Sequence, residues 1–168
     1  MAGIVRTELD LSQLNITQAD ASLAIAAHSI HCEAQYAPWS EATFLDCTTS
    51  PYECWVMLNN GQIIGFAILL VVLDEVTLMD IAISAELRGL GAGKRLLDFV
   101  INRCRQLNAS SCFLEVRESN LAAHTLYLNS GFELLERRKG YYPTKDGRED
   151  ALMMSLPISA YSHHDNPV

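Results

Sequence analysis

No stretch of the 168 residues approaches the roughly 18 consecutive apolar residues that a membrane-spanning helix needs, so no membrane partner is expected. The opening MAGIVRTELD lacks a basic segment followed by an apolar one, the mark of a secretory signal, and a cytoplasmic location is the expectation. Basic residues are scarce: 12 Lys and Arg stand against 20 Asp and Glu, a net charge of -8. A nucleic-acid surface needs clustered Lys and Arg, so none is expected, whereas a cationic partner is permitted. The five cysteines (Cys32, Cys47, Cys54, Cys104 and Cys112) are odd in number and contain no CxxC pair. That argues against a disulfide framework and against zinc-ligand spacing, and leaves reduced, mostly buried thiols. His28 and His31 stand one helical turn apart with Glu33 nearby; we read the pair as structural, and no metal is expected. Internal repeats, linkers and low-complexity stretches are lacking too, so one domain over 1–158 is expected, followed by a disordered polar tail, 159–168, that holds His163 and His164.

What is present has a clear order. Thr17 and Asp20 resemble a capping pair ahead of ASLAIAAHSIHCEA, which predicts a helix from about 18 to 34. Pro38, Trp39 and Ser40 interrupt, and Ser40 caps a short helix through EATFLDC. YECWVML and QIIGFAILLVVLD are β-branched and aromatic runs joined by Asn59-Asn60-Gly61, which suits a tight antiparallel hairpin. EVTLMDIAIS predicts a third strand, and KRLLDFVINRCRQL an amphipathic helix with Leu96, Leu97, Val100, Ile101 and Cys104 on one face. SSCFLEV then reads as a strand, NLAAHTLYLNS as a helix stopped by Gly131, and segments near 133–139 and 151–156 as strands. The expectation is a single mixed α/β (α+β) domain.

Glycine is sparse, nine in all, yet Gly89, Gly91 and Gly93 fall within five residues between a strand and a helix. Such a turn presents backbone N–H groups and a helix N-terminus, an arrangement suited to phosphate, though a plain αβ connection is the blander reading. The P-loop template fails because Gly93-Lys94 is followed by Arg95, and the dinucleotide template fails because Lys94 stands where its third glycine belongs. The pattern Arg/Gln-x-x-Gly-x-Gly/Ala is met by Arg88, Gly89, Leu90, Gly91, Ala92 and Gly93, and here the chain resembles the GNAT superfamily of acyl-CoA-dependent N-acetyltransferases. APWSEATF, LDEVTLMDIAIS, LEVRESNLAAHTLYLNSGF and YYPTKDGREDALMMSLPI resemble, more narrowly, the RimI-type subfamily that acetylates the N-terminal alanine of a ribosomal protein. The resemblance covers about residues 8 to 158. It implies a central, twisted, mostly antiparallel sheet splayed around acetyl-CoA and flanked by helices.

The chemistry asks for a base and an acid. An α-amino group, with a pKa near 8, is partly protonated at neutral pH and must lose its proton before it attacks a thioester. A departing thiolate is helped by a proton donor. Glu115 closes the apolar strand SSCFLEV, where a carboxylate is unusual unless it faces solvent, a cleft or a partner such as Arg117. The resemblance implies that Glu115 is the base, direct or through water. Tyr127 shares a helix face with Ala123, which favours core packing; the resemblance implies instead the acid that meets the CoA sulfur. Asn120 suits a helix N-cap, and by resemblance also contacts the cofactor. The resemblance further implies that the backbone of Ile81, Ala82 and Ile83 lines the pantetheine arm and that the loop from Arg88 to Gly93 wraps the pyrophosphate. Lys94 suits either a phosphate or solvent, and Arg88 is similarly open. Tyr141 and Tyr142 belong to an ordinary hairpin or, by resemblance, border the slot for the acceptor, with Glu33, Glu41 or Asp46 as candidates to attract a basic segment. The leading expectation is an enzyme acetylating a ribosomal protein at an N-terminal alanine. Another amine (a polyamine, an aminoglycoside or a lysine) is the second reading, and a non-catalytic acyl-CoA-binding regulator the third.

Overall fold

The computed structural model describes residues 8–158, so the first seven residues and the expected tail over 159–168 lie outside the described residues. Seven strands, β1 (Leu14–Gln18), β2 (Tyr52–Asn59), β3 (Gln62–Val72), β4 (Glu75–Ile83), β5 (Ser111–Arg117), β6 (Glu133–Thr144) and β7 (Gly147–Pro157), form one sheet. Its order is β1-β2-β3-β4-β5-β7-β6. Every neighbouring pair is antiparallel except β4 and β5, which run parallel. The helices are α1 (Ala21–Ala34), α2 (Glu41–Asp46), α3 (Ala92–Gln106) and α4 (Leu121–Asn129). The mixed α/β expectation therefore holds. No described helix is long and apolar enough to cross a membrane.

Two apolar clusters cover the two faces of the sheet. On one, Leu96, Leu97, Val100, Ile101 and Cys104 of α3 pack with Leu69, Val76, Leu78, Leu114 and Met154. On the other, Ala24, Ala27 and Ile30 of α1 and Phe44 of α2 pack on Cys54, Val56, Phe66 and Ile68. The Asn60-Gly61 turn forms as expected, with both residues at positive φ, 50° and 78°. Four of the five cysteines are buried, Cys32 is exposed, and all are free thiols.

Three boundaries differ from the sequence reading. The first helix begins at Ala21, not near 18, because Leu14–Gln18 is an edge strand paired with β2. Thr17 lies in that strand, and Asp20 alone caps α1 by accepting the Leu23 N–H at 2.9 Å. The last two strands extend past 139 and begin before 151, so Tyr141 and Tyr142 lie within β6 rather than in a turn. Alternation is too weak there to mark a strand, since β6 is an edge strand exposed along most of its length.

A bulge in β4 positions the site. Leu78 pairs with Leu69, yet Asp80 pairs with Ile68, so Met79 is an extra residue. Up to Leu78 the even-numbered side chains Val76 and Leu78 point to the α3 face. After Met79 the parity reverses: Ile81 and Ile83 face α3 while Ala82 joins the α1 cluster. Asp80 is thereby turned to α1, where it meets His31.

Gly65 of β3 supports the same segment from behind. A Cβ there would lie 2.6 Å from Ile83 Cδ1 and 2.9 Å from the Ala82 carbonyl oxygen. The oxygen is backbone and cannot swing away. Gly65→Ala should therefore destabilise the fold by about 1–3 kcal/mol, visible as a lower midpoint in denaturant unfolding. An unchanged midpoint would show that β4 yields freely at this point.

Candidate active site

The parallel pairing of β4 with β5 runs from Glu75 opposite Ser111 to Leu78 opposite Leu114 and then stops. Both strands continue. Ile81–Ile83 keep pairing with Gly65–Ala67 of β3, and Glu115–Arg117 with Ala151–Met153 of β7, so the two halves of the sheet diverge and leave a gap. Two backbone groups along the β4 segment have partners within the chain: the Ile81 N–H donates to Asp80 Oδ1 at 2.9 Å, and the Ile83 carbonyl accepts from Arg88 Nε at 3.0 Å.

The glycine loop stands at the end of that strand. Gly89 and Gly91 have φ of 77° and 94°, a region that penalises any side chain, which accounts for two of the three glycines. Gly91 is the N-cap of α3 and supplies no side-chain acceptor. No side chain therefore caps the first N–H groups of this 15-residue helix, an arrangement suited to an anion. Lys94, by contrast, donates to Asp98 at 2.9 Å on the exposed face of α3, an i,i+4 pair. Asn120 caps α4 by accepting the Ala123 N–H at 3.2 Å.

Glu115 and Tyr127 lie on opposite faces of the sheet. Along β5, Cys112, Leu114 and Val116 are buried in the α3 cluster, so Glu115 points to the other face, its side chain 30% exposed. Tyr127 belongs to the α3 cluster, is 6% exposed, and packs against Phe132 with ring centroids 5.7 Å apart. Burial, and after it the negative field of Asp80, pushes the Tyr127 hydroxyl above its ordinary value, so it stays protonated. The carboxylate is reachable and the phenol is a retained proton.

The sequence reading offered Arg117 as a partner for Glu115, and the structure assigns the partners differently. Glu115 Oε1 is 3.5 Å from Arg138 Nη1 and 3.5 Å from the Tyr141 hydroxyl, both loose contacts. Arg117 donates instead to Glu149 at 3.0 Å and to the Pro143 carbonyl at 3.0 Å, with its guanidinium 4.4 Å from the Tyr142 ring centroid. Glu149 also accepts the Ser119 N–H, and its carboxyl is held below its ordinary range by Ser119 and then by Arg117. Desolvation, followed by the field of Glu115, pushes the Tyr142 hydroxyl up to about 12. The β6–β7 hairpin is therefore tied to the end of β5, and both tyrosines stand beside Glu115. The segment is a hairpin between the last two strands.

Of the acidic candidates, Glu33 lines a groove of about 590 Å³ on α1, together with Ser22, Ser29, Gln62 and Ser84. Glu41 and Asp46 are exposed at the two ends of α2. Arg138, Glu149 and Asp80 had no signal in the sequence, since strand register and the bulge decide what they meet.

The gap between β4 and β5, the glycine turn that opens α3, and a carboxylate and a phenol on opposite faces of the sheet are groups of the kind that acyl transfer to an amine asks for. A profile of the acetyltransferase (GNAT) family matches residues 22–132, and the chain belongs to that family. It is 43% identical over 134 residues to the [ribosomal protein bS18]-alanine N-acetyltransferase of Escherichia coli strain K12, covering 80% of this chain and 90% of the relative. To the enzyme of the same name from Haemophilus influenzae it is 40% identical over 141 residues, 83% and 96% of the two chains. The crystal structure of the Escherichia coli ribosomal-protein-S18-alanine N-acetyltransferase superposes with a TM-score of 0.84 at 38% identity, over 92% of this chain and 99% of that one. A GNAT family acetyltransferase from Elizabethkingia anophelis with acetyl-CoA bound shares the fold, with a TM-score of 0.73 at 20% identity, covering 86% and 98%.

Proposed function

We propose that the protein transfers acetyl from acetyl-CoA to the N-terminal alanine amine of a small-subunit ribosomal protein, in the cytoplasm, by direct attack in a ternary complex. The observation that supports this is the gap where the β4–β5 pairing stops, with Glu115 of β5 on one face of the sheet and Tyr127 on the other. Identity above 40% to alanine N-acetyltransferases supports the acceptor.

Each residue then has one task. The N–H groups at the start of α3, with Gly89, Leu90, Gly91, Ala92 and Gly93, receive the pyrophosphate, and Arg88, Lys94 and Asn120 border it. The stretch Ile81–Ile83, which β5 leaves unpaired, receives the pantetheine arm, while its Ile81 N–H and Ile83 carbonyl stay with Asp80 and Arg88. Glu115 takes the proton of the amine, directly or through water, as nitrogen attacks the thioester carbon. The resulting tetrahedral centre collapses, the carbon–sulfur bond breaks, and Tyr127 gives its proton to the departing sulfur from the opposite face. Tyr141 and Tyr142 border the entering N terminus. No cysteine and no metal is required by these steps.

The test offers acetyl-CoA with short basic peptides that differ at residue one (alanine, serine or methionine), and with an acetyl-blocked alanine peptide carrying an internal lysine. CoA release and product mass are followed. Acetylation confined to free alanine, with serine weaker, is the expected result. Reaction of the blocked peptide alone would assign the acceptor to a lysine side chain, and no reaction with any amine would leave a binding protein without turnover.

A further inference from the structure

The HSIH segment of α1, unused in the chemistry above, grips both backbone polar groups of one residue, Trp39. The Trp39 N–H donates to His31 Nε2 at 2.9 Å, and the Trp39 carbonyl lies 2.8 Å from His28 Nε2. A backbone N–H only donates, so His31 Nε2 accepts and the proton of that ring sits on Nδ1, facing Asp80 Oδ2 at 2.6 Å. His28, facing a carbonyl, donates. The His31 side chain is 2% exposed and that of Asp80 9%. Gln35 Nε2 reaches the second oxygen of Asp80 at 3.2 Å, and the His31 ring lies 4.8 Å from that of Trp39. Both nitrogens of His31 are thus engaged, which removes it as a general base and leaves it as a fastener.

What it fastens is the segment between α1 and α2, residues 35–40. Asp80 is the residue that the β4 bulge turns to α1, and it directly precedes Ile81 at the gap. The glycine loop and α3 lie on one face of the sheet, and α1 and α2 on the other, the face that Glu115 also presents. An amine that meets Glu115 must arrive on this second face, between the β6–β7 hairpin on the β5 side and segment 35–40 on the β4 side. We infer that His28, His31 and Asp80 are positioning residues for the acceptor, holding segment 35–40 as the β4-side wall of its entry. The inference rests on the proposed acetyl transfer and deepens it.

The test measures steady-state kinetics with the alanine peptide, acetyl-CoA affinity, and hydrogen exchange across 35–40 for His31→Gln, Asp80→Asn and His28→Ala. The peptide KM should rise about tenfold or more in the first two and about threefold in His28→Ala, with kcat and the Kd for acetyl-CoA within about twofold of the parent. Exchange in 35–40 should quicken while the 88–94 loop is unchanged. His28 is only half-buried, so His28→Ala keeps the inference decidable should the buried variants not fold. A folded variant with faster exchange and an unchanged peptide KM overturns it, as does a fall in kcat or acetyl-CoA affinity equal to the KM change, which would mean a purely structural role. Failure of the proposed function reads differently: the parent protein itself would not acetylate the alanine peptide, and segment 35–40 would then be no acceptor wall.

Discussion

Replacing Glu115 by glutamine is expected to lower kcat about 100-fold at neutral pH and to leave acetyl-CoA binding within about twofold. Glutamine has the same shape and can keep the 3.5 Å contact to the Tyr141 hydroxyl, so the hairpin stays in place. What it loses is the ability to take a proton. The expected loss also has a pH signature. An α-amine titrates near 8, so raising the pH supplies neutral amine without the help of a base, and the deficit of Glu115→Gln should shrink between about pH 7 and 9. Saturating acetyl-CoA with a peptide titration measures kcat, and calorimetry gives the Kd. A loss below about fivefold at every pH would mean that the amine is deprotonated in bulk water and that Glu115 serves only to attract it.

Tyr127→Phe should cost a similar factor, about 100-fold in kcat, for the opposite reason: it removes a donor rather than an acceptor. Phenylalanine keeps the ring that packs on Phe132, so little stability should be lost. The parent profile carries the sign. Burial and Asp80 raise the hydroxyl above its ordinary value near 10, and a raised acid remains protonated until the pH passes that raised value. Activity should therefore climb with pH as the amine becomes neutral and show no falling limb from Tyr127 below about pH 10. Comparison of pH profiles for kcat/KM in the parent and Tyr127→Phe tests both points. A falling limb near pH 8 that vanishes in Tyr127→Phe would assign the hydroxyl an ionised role; a variant as fast as the parent would show that sulfur departs without this donor.

Much of this arrangement is readable from local pattern. Ser40 as a cap, Asn60-Gly61 as a turn and Asn120 as a cap are decided within three or four residues, and the structure has them as expected. The stripe from Leu96 to Cys104 is decided by helical periodicity. β1 is five residues at a sheet edge, and its pairing with β2 depends on residues about 40 positions away, which no local window holds. The choice of Arg138 over Arg117 as the neighbour of Glu115 has the same origin. Arg117 shares a strand with Glu115 and a side of it, yet Tyr142 and Glu149 across the sheet draw it off. Asp80 meets α1 only because Met79 is one residue too many, and a frame shift of that kind leaves no mark in composition or spacing.

The short seam between β4 and β5, only four residue pairs long, also makes this protein's endurance a function of what it is fed. A ligand lying along Ile81–Ile83 would lengthen the seam from within, acting as a removable strand between the two halves of the sheet. At a hundredfold excess over its dissociation constant such a ligand adds about 2.7 kcal/mol to the folded state, a sizeable fraction of a small domain's whole margin. A cell rich in acetyl donor would then hold a sturdier population of the enzyme, and a starved one a population nearer to unfolding and turnover by proteases.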